Sequence, residues 1–129
     1  TNLDETCPTA DGHRPGCGAL VASLEKATFK KAYSVGKPSP FMMRAARKKL
    51  NLQTAQTIMI GDTMETDIKG AVELGFNSIL VLSGNTSEID LIHYPYKPKF
   101  VFKNLGEIDI DKLFYQLGGK QKMMEVVNA

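Results

Sequence analysis

Two carboxylates and one lysine carry the strongest chemical signal in the sequence. In Gly61-Asp62-Thr63-Met64-Glu65-Thr66-Asp67, an apolar run ends in a glycine and an acid follows directly. A second acid falls in the first turn of the helical pattern beyond. Acids at a helix N-terminus are favoured by its dipole, and two of them can jointly hold a hard divalent cation. Lys37 comes from the end of another short run, in Gly36-Lys37-Pro38-Ser39-Pro40. An ammonium fixed beside a metal suits stabilisation of phosphoryl oxygens and of a carboxylate nucleophile. A plainer reading stands beside this one. Asp62-Thr63-Met64-Glu65 also matches a capping box, which would close the helix start with no metal at all, and the two readings are compatible.

The elements that must position these residues follow from periodicity. Residues 1–16 hold Pro8, Gly12, Pro15 and Gly16 among Thr, Asn and Asp, which predicts loop. Leu20, Val21, Leu24 and Ala27 make a helical stripe over 17–27. Ala32 to Gly36 is a short strand candidate. Ser39-Pro40 supplies an N-cap with proline at the first helical position, and the helix is expected to turn Met42, Ala45, Ala46 and Leu50 inward and Arg44, Arg47 and Lys48 outward. Thr57 to Ile60 reads as a strand from which Gly61 lets the backbone turn sharply. A helix from about Met64 carries Ile68, Ala71 and Val72 and stops at Gly75. Ser78 to Leu82 and Phe100 to Phe102 read as further strands, and Asp109 to Leu117 as a last helix closed by Gly118-Gly119. Residues 120–129 are left unassigned.

Alternating apolar strands and helices predict an α/β unit around a mainly parallel sheet. Ligand sites in such sheets lie beyond the carboxyl ends of strands. The turns Gly36-Lys37, Gly61-Asp62 and Ser83-Gly84 are all expected there.

These residues resemble the late motifs of the haloacid-dehalogenase (HAD)-like hydrolases. Gly-Asp-x4-Asp after a buried strand, preceded by Gly-Lys-Pro-Ser-Pro, is similar to the NagD, 4-nitrophenylphosphatase and phosphoglycolate phosphatase group. Thr1-Asn2-x-Asp4 with Pro15-Gly16-Cys17-Gly18 resembles that group's return from an inserted cap domain, and Val81-Leu82-Ser83-Gly84 also fits. The resemblance covers about residues 1–113. It implies a partial Rossmann-like core, with 1–16 as the exit loop from the cap, 17–118 as the C-terminal part of the core and 119–129 as a tail. It further implies hydrolysis of small phosphate monoesters through an aspartyl-phosphate, with Mg2+ as cofactor. Lys37 would be the core lysine orienting nucleophile and phosphoryl group, Asp62 a magnesium ligand, and Asp67 a supporting acid that orients the metal shell.

One departure is severe. The group's nucleophile lies in an Asp-x-Asp-Gly motif before the cap, whereas the only D-x-D here is Asp109-Ile110-Asp111, read as the start of the last helix. The chain begins with Thr1 and reads as the middle of something, so the N-terminal strands and nearly all of the cap are expected to lie outside it. The strand at 57–60 would then have an open apolar edge, to be covered by the missing N-terminal half or by self-association. The isolated chain is expected to be inactive. The alternative is a non-catalytic interaction module that keeps only this fold segment.

Other classes are excluded by pattern. A phosphate-binding loop ending at Gly36-Lys37 would need glycine at position 31 and serine or threonine at 38, where Lys31 and Pro38 stand. In a phosphoryl-receiver domain the lysine follows the acids, whereas Lys37 precedes Asp62. Sixteen basic against fourteen acidic residues give a net charge of +2, too little to argue for nucleic acid or an anionic membrane. The longest apolar runs, such as Ile79 to Leu82, are four residues, against the roughly 20 a spanning helix needs. With 43% hydrophobic and 23% charged residues, the 129-residue chain has globular composition. Cys7 and Cys17 have no metal-ligand spacing and are expected to remain thiols in a reducing, cytoplasmic setting.

Overall fold

The computed structural model describes residues 2–118. Its centre is β4 (Asn77–Val81), whose Ser78, Ile79, Leu80 and Val81 are all buried. A run buried on successive residues, apolar from Ile79 onward, is what a strand covered on both faces shows. On one side β4 pairs in parallel with β3 (Ile58–Gly61), on the other with β5 (Phe100–Phe102), so the sheet order is β3-β4-β5. The parallel α/β architecture expected from the sequence is therefore present, with strand limits within a residue of those read from the apolar runs. Among the described residues β3 pairs with β4 alone, and Ile60 is 42% exposed.

Helices fill the crossovers. The stretch after β3 opens as a wide π-helical turn (Met64–Ile68) and continues as α3 (Lys69–Leu74), which ends at Gly75 in the left-handed conformation at φ +69°. Ile68 and Ala71 are fully buried as expected, but Val72 is 42% exposed. Before the sheet, α2 (Pro40–Lys49) starts at Ser39 with proline in its first turn. Its inward face differs from expectation. Met43 is the buried residue, whereas Met42 and Leu50 are exposed. The reason lies in the partner helix: a side chain at Gly70 would run into the Met43 sulfur, so Met43 keys into the gap that glycine leaves and joins Ala71 and Phe76 in one core cluster. A second cluster gathers Met64, Ile68 and Leu80 beneath Leu91, Tyr94 and Tyr96.

The N-terminal region corrects two further expectations. Residues 6–15 are not loop but a hairpin, β1 (Thr6–Thr9) antiparallel to β2 (Gly12–Pro15), turned through Ala10-Asp11 with Gly12 at φ +137°. The Asp11-Gly12 pair carries this information, since such dipeptides supply the unusual backbone angles tight hairpins need. The strand expected over Ala32 to Gly36 is absent. That segment has no ladder partner among the described residues, and apolar side chains alone do not make a strand. Helix α1 (Cys17–Thr28) forms as its stripe predicts, yet none of its residues is buried, and Leu20 and Leu24 are more than 60% exposed. Its start is tied to the hairpin's approach: Gly16 and Gly18 N–H groups donate to the carbonyls of Glu5 and Asp4 at 2.8 and 2.9 Å. No disulfide joins Cys7 and Cys17. The last helix, α4 (Ile110–Gln116), is capped by Asp109, whose carboxylate accepts from Lys112 N–H, so the D-x-D segment is a helix start as expected. Gly119 and the tail lie outside the described residues.

Candidate functional site

Gly61 ends β3 against the side chain of Asp67. A Cβ at position 61 would overlap the Asp67 carboxyl group, so glycine is required there for room. Its backbone angle is not the reason. Asp67, 3% exposed in its side chain, uses both oxygens: Oδ1 accepts from Lys37 Nζ at 2.5 Å and Oδ2 accepts from Thr63 N–H at 3.3 Å. Lys37, 36% exposed, reaches this acid from the segment before α2. Its ammonium has three donors, and one is committed to Asp67.

Asp62 sits one residue beyond β3 and points elsewhere. Its Oδ2 accepts from the backbone N–H of Asn85 at 3.1 Å, and its Oδ1 accepts from the Thr63 hydroxyl at 3.3 Å. The capping box is therefore not formed: Thr63 occupies the cap position with no side-chain cap bond, and Glu65 accepts from the Tyr94 hydroxyl at 3.4 Å. The backbone N–H groups of this turn find other partners.

Lys37, Asp62 and Asp67 line one cleft of about 460 Å³, together with Asn2, Asp4 and Asn85. The β1–β2 hairpin closes its rim with Cys7 and His13. A wider groove of about 820 Å³ shares Lys37 and Asp4 and runs past Ser39 to Tyr33. The carboxyl ends of β3 and β4 thus deliver their turns to a common crevice, as the parallel sheet demands.

The donor set is oxygen only, which suits a hard cation. Among the described residues no group of three acidic, histidine or cysteine side chains is arranged to hold a metal. Asp62 and Asp67 each accept one hydrogen bond per oxygen, but Asp67 is nearly buried and ion-paired with Lys37, whereas Asp62 meets only neutral donors. The residues present fit one side of a magnesium shell, with the Asp62 carboxylate able to offer it oxygen.

A family model described as HAD-hydrolase-like matches residues 34–108 of this sequence. The chain belongs to the HAD-like hydrolases. It is 40% identical over 99 residues to the ribonucleotide monophosphatase NagD of Escherichia coli K-12, a match covering 77% of this chain and 40% of that protein. The solved structure of that NagD superposes with a TM-score of 0.74 at 38% identity, covering 84% of this chain and 42% of the other. A dihydroxyacetone phosphatase of Corynebacterium glutamicum is 36% identical over 84% of this chain and 39% of its own length. The glycerol phosphate phosphatase of Mycobacterium tuberculosis, solved in complex with magnesium, superposes at TM-score 0.70 and 34% identity, over 78% of this chain and 31% of that one. The chain spans about two-fifths of the length of the curated NagD and dihydroxyacetone phosphatase relatives.

In this HAD-like hydrolase the three residues singled out by sequence come together, and two others emerge only in three dimensions. Thr63 and Asn85 contact Asp62 directly, and Asn85 Nδ2 also donates to Thr63 Oγ1 at 3.1 Å. The signal for Asn85 is its place in the polar turn after β4. Behind the site, Tyr96 donates its hydroxyl to the Met64 carbonyl at 3.1 Å. Burial, followed by the charges of Tyr94 and Glu65, pushes the Tyr96 hydroxyl above the ordinary phenol range. For Tyr94 burial leads again, with Glu65 next.

Proposed function

We propose that the chain is the lysine- and metal-side portion of a magnesium-dependent HAD-like phosphatase that hydrolyses small phosphate monoesters through an aspartyl-phosphate, its nucleophile lying outside these 129 residues. The carrying observation is the Lys37–Asp67 ion pair beside Asp62 in one cleft. Asp67 holds the ammonium in place, so the remaining Lys37 donors are pre-aimed at phosphoryl oxygens and at an incoming carboxylate. Asp62 presents oxygen to the cleft with its carboxylate orientation fixed by the Asn85 N–H. Magnesium held there would neutralise charge building on the phosphoryl oxygens. Asn2 and Asp4 line the substrate side, from the segment read as the cap's return. Cytoplasmic location is part of the same reading. No helix among the described residues is long and apolar enough to cross a membrane.

The test is to extend the chain upstream in its own coding sequence and assay 4-nitrophenyl phosphate hydrolysis with magnesium. An Asp-x-Asp-Gly segment and turnover are expected. Asp62→Asn should then greatly weaken the magnesium dependence, and Lys37→Ala should lower kcat by orders of magnitude. Wild-type kinetics in either variant would overturn the assignment. An upstream sequence without that motif would favour the interaction module.

A further inference from the structure

We propose that the segment after β4, Gly84-Asn85-Thr86, is the positioning element for the Asp62 carboxylate, with Thr86 as its lock. Four contacts join it to the turn after β3. The Thr86 N–H donates to the Asp62 carbonyl at 3.0 Å, and the Met64 N–H donates to the Thr86 hydroxyl at 3.2 Å. The Asn85 N–H donates to Asp62 Oδ2, and the Asn85 amide donates to the Thr63 hydroxyl, each at 3.1 Å. Gly84 adds a steric requirement, because a Cβ there would overlap the Asp62 carboxyl. Main chain and side chain of Asp62 are thus both held from the same three residues.

Thr86 is the one whose removal is most telling. It is 5% exposed, and its hydroxyl accepts the N–H of Met64, which is itself fully buried. This N–H stands in the helix's first turn, where no intrahelical acceptor exists. Taking the hydroxyl away would leave it without a partner, and the turn would have to move to reach another. The Asp62–Thr63–Met64 backbone would move with it, carrying the carboxylate off its Asn85 donor. Groups that orient a metal-ligating carboxylate commonly change cation affinity by about 10- to 100-fold.

The inference rests on the proposed cation site, and the experiment separates the two. Amide NMR spectra of the 129-residue chain are followed during a magnesium titration, with hydrogen exchange read at Met64 and Asn85 and the urea midpoint measured alongside. In Thr86→Val the apparent magnesium Kd read at residues 61–63 should rise about tenfold and Met64 exchange should quicken, while Thr86→Ser restores both. Thr86→Val with wild-type magnesium response and exchange overturns the positioning role, as does Thr86→Ser failing like valine. If the wild-type chain shows no magnesium response at Asp62, its one side of the shell does not hold the cation alone, and the cation reading is decided by the same titration on the upstream-extended protein. The positioning role is then decided by exchange at Met64 and Asn85, which a purely global loss of stability would not confine to those amides.

Discussion

Asp67 accepts the ammonium of Lys37 at 2.5 Å across thirty positions of chain, and it does so from a nearly buried carboxylate that also takes the Thr63 N–H. The pair ties the approach to α2 onto the turn after β3, so it is a structural link as well as a candidate chemical one.

Breaking that link should show in stability. Lys37→Ala strands a buried carboxylate and should cost about 2–4 kcal/mol in urea unfolding. Asp67→Asn should cost less, because the partly exposed lysine can turn to solvent. The double variant should be more stable than Lys37→Ala alone; additive losses would mean the pair is not coupled.

The chain as it stands should not turn over 4-nitrophenyl phosphate with magnesium. Lys37, Asp62 and Asp67 can orient a phosphate and a cation, but no further carboxylate on the D-x-D pattern faces them, since Asp109 caps α4. Loss of a nucleophile typically removes many orders of magnitude of rate. Activity that follows the protein through purification and vanishes in Asp62→Asn would place the nucleophile inside the chain.

Gly61→Ala and Gly84→Ala should each displace a different acid. The first pushes on Asp67 and the second on Asp62. Overpacking of this kind costs about 1–3 kcal/mol. Only the second is expected to abolish the magnesium response at Asp62 at concentrations where the protein is still folded, as judged by circular dichroism.

Stability should fall on the alkaline side through Tyr94 and Tyr96. Both hydroxyls are raised in the fold above the ordinary phenol range, chiefly by burial. The folded state then holds protons that the unfolded chain has released. Their contribution is complete below about pH 10 and is lost as pH climbs through the raised values. Absorbance at the tyrosinate band, followed against urea midpoints, should show Tyr96→Phe flattening this decline.

Two strands of the sheet were legible because they are short apolar runs closed by the Gly61-Asp62 and Ser83-Gly84 turns. Lys37 and Asp62 were legible because each follows a strand-like run, and Asp67 because it falls in the first turn of the helix beyond. What sequence left hidden depends on partners. Ala32 to Gly36 has strand composition but no strand partner among the described residues, and Met43 replaces Met42 inside because Gly70 offers space that no helical wheel reveals. Thr63, Asn85 and Thr86 act through a mixture of main-chain and side-chain hydrogen bonds around Asp62, and residue type alone does not announce such contacts. The hairpin was a different case, for its Asp11-Gly12 signal was present among residues whose composition spoke for loop.

The wide turn at Met64–Ile68 has a consequence for counting. Within it Ile68 N–H reaches back to the Thr63 carbonyl, five positions away, so the turn absorbs one residue more than an α-helical one would. Ile68 and Ala71 nevertheless land in the core. Remove one residue between Met64 and Thr66 without that slack, and everything downstream rotates by about 100°, carrying Ile68 and Ala71 out of the interior. The turn acts as a spacer of adjustable width, and it lets the interval between the two acids and the phase of the helix behind them be set independently.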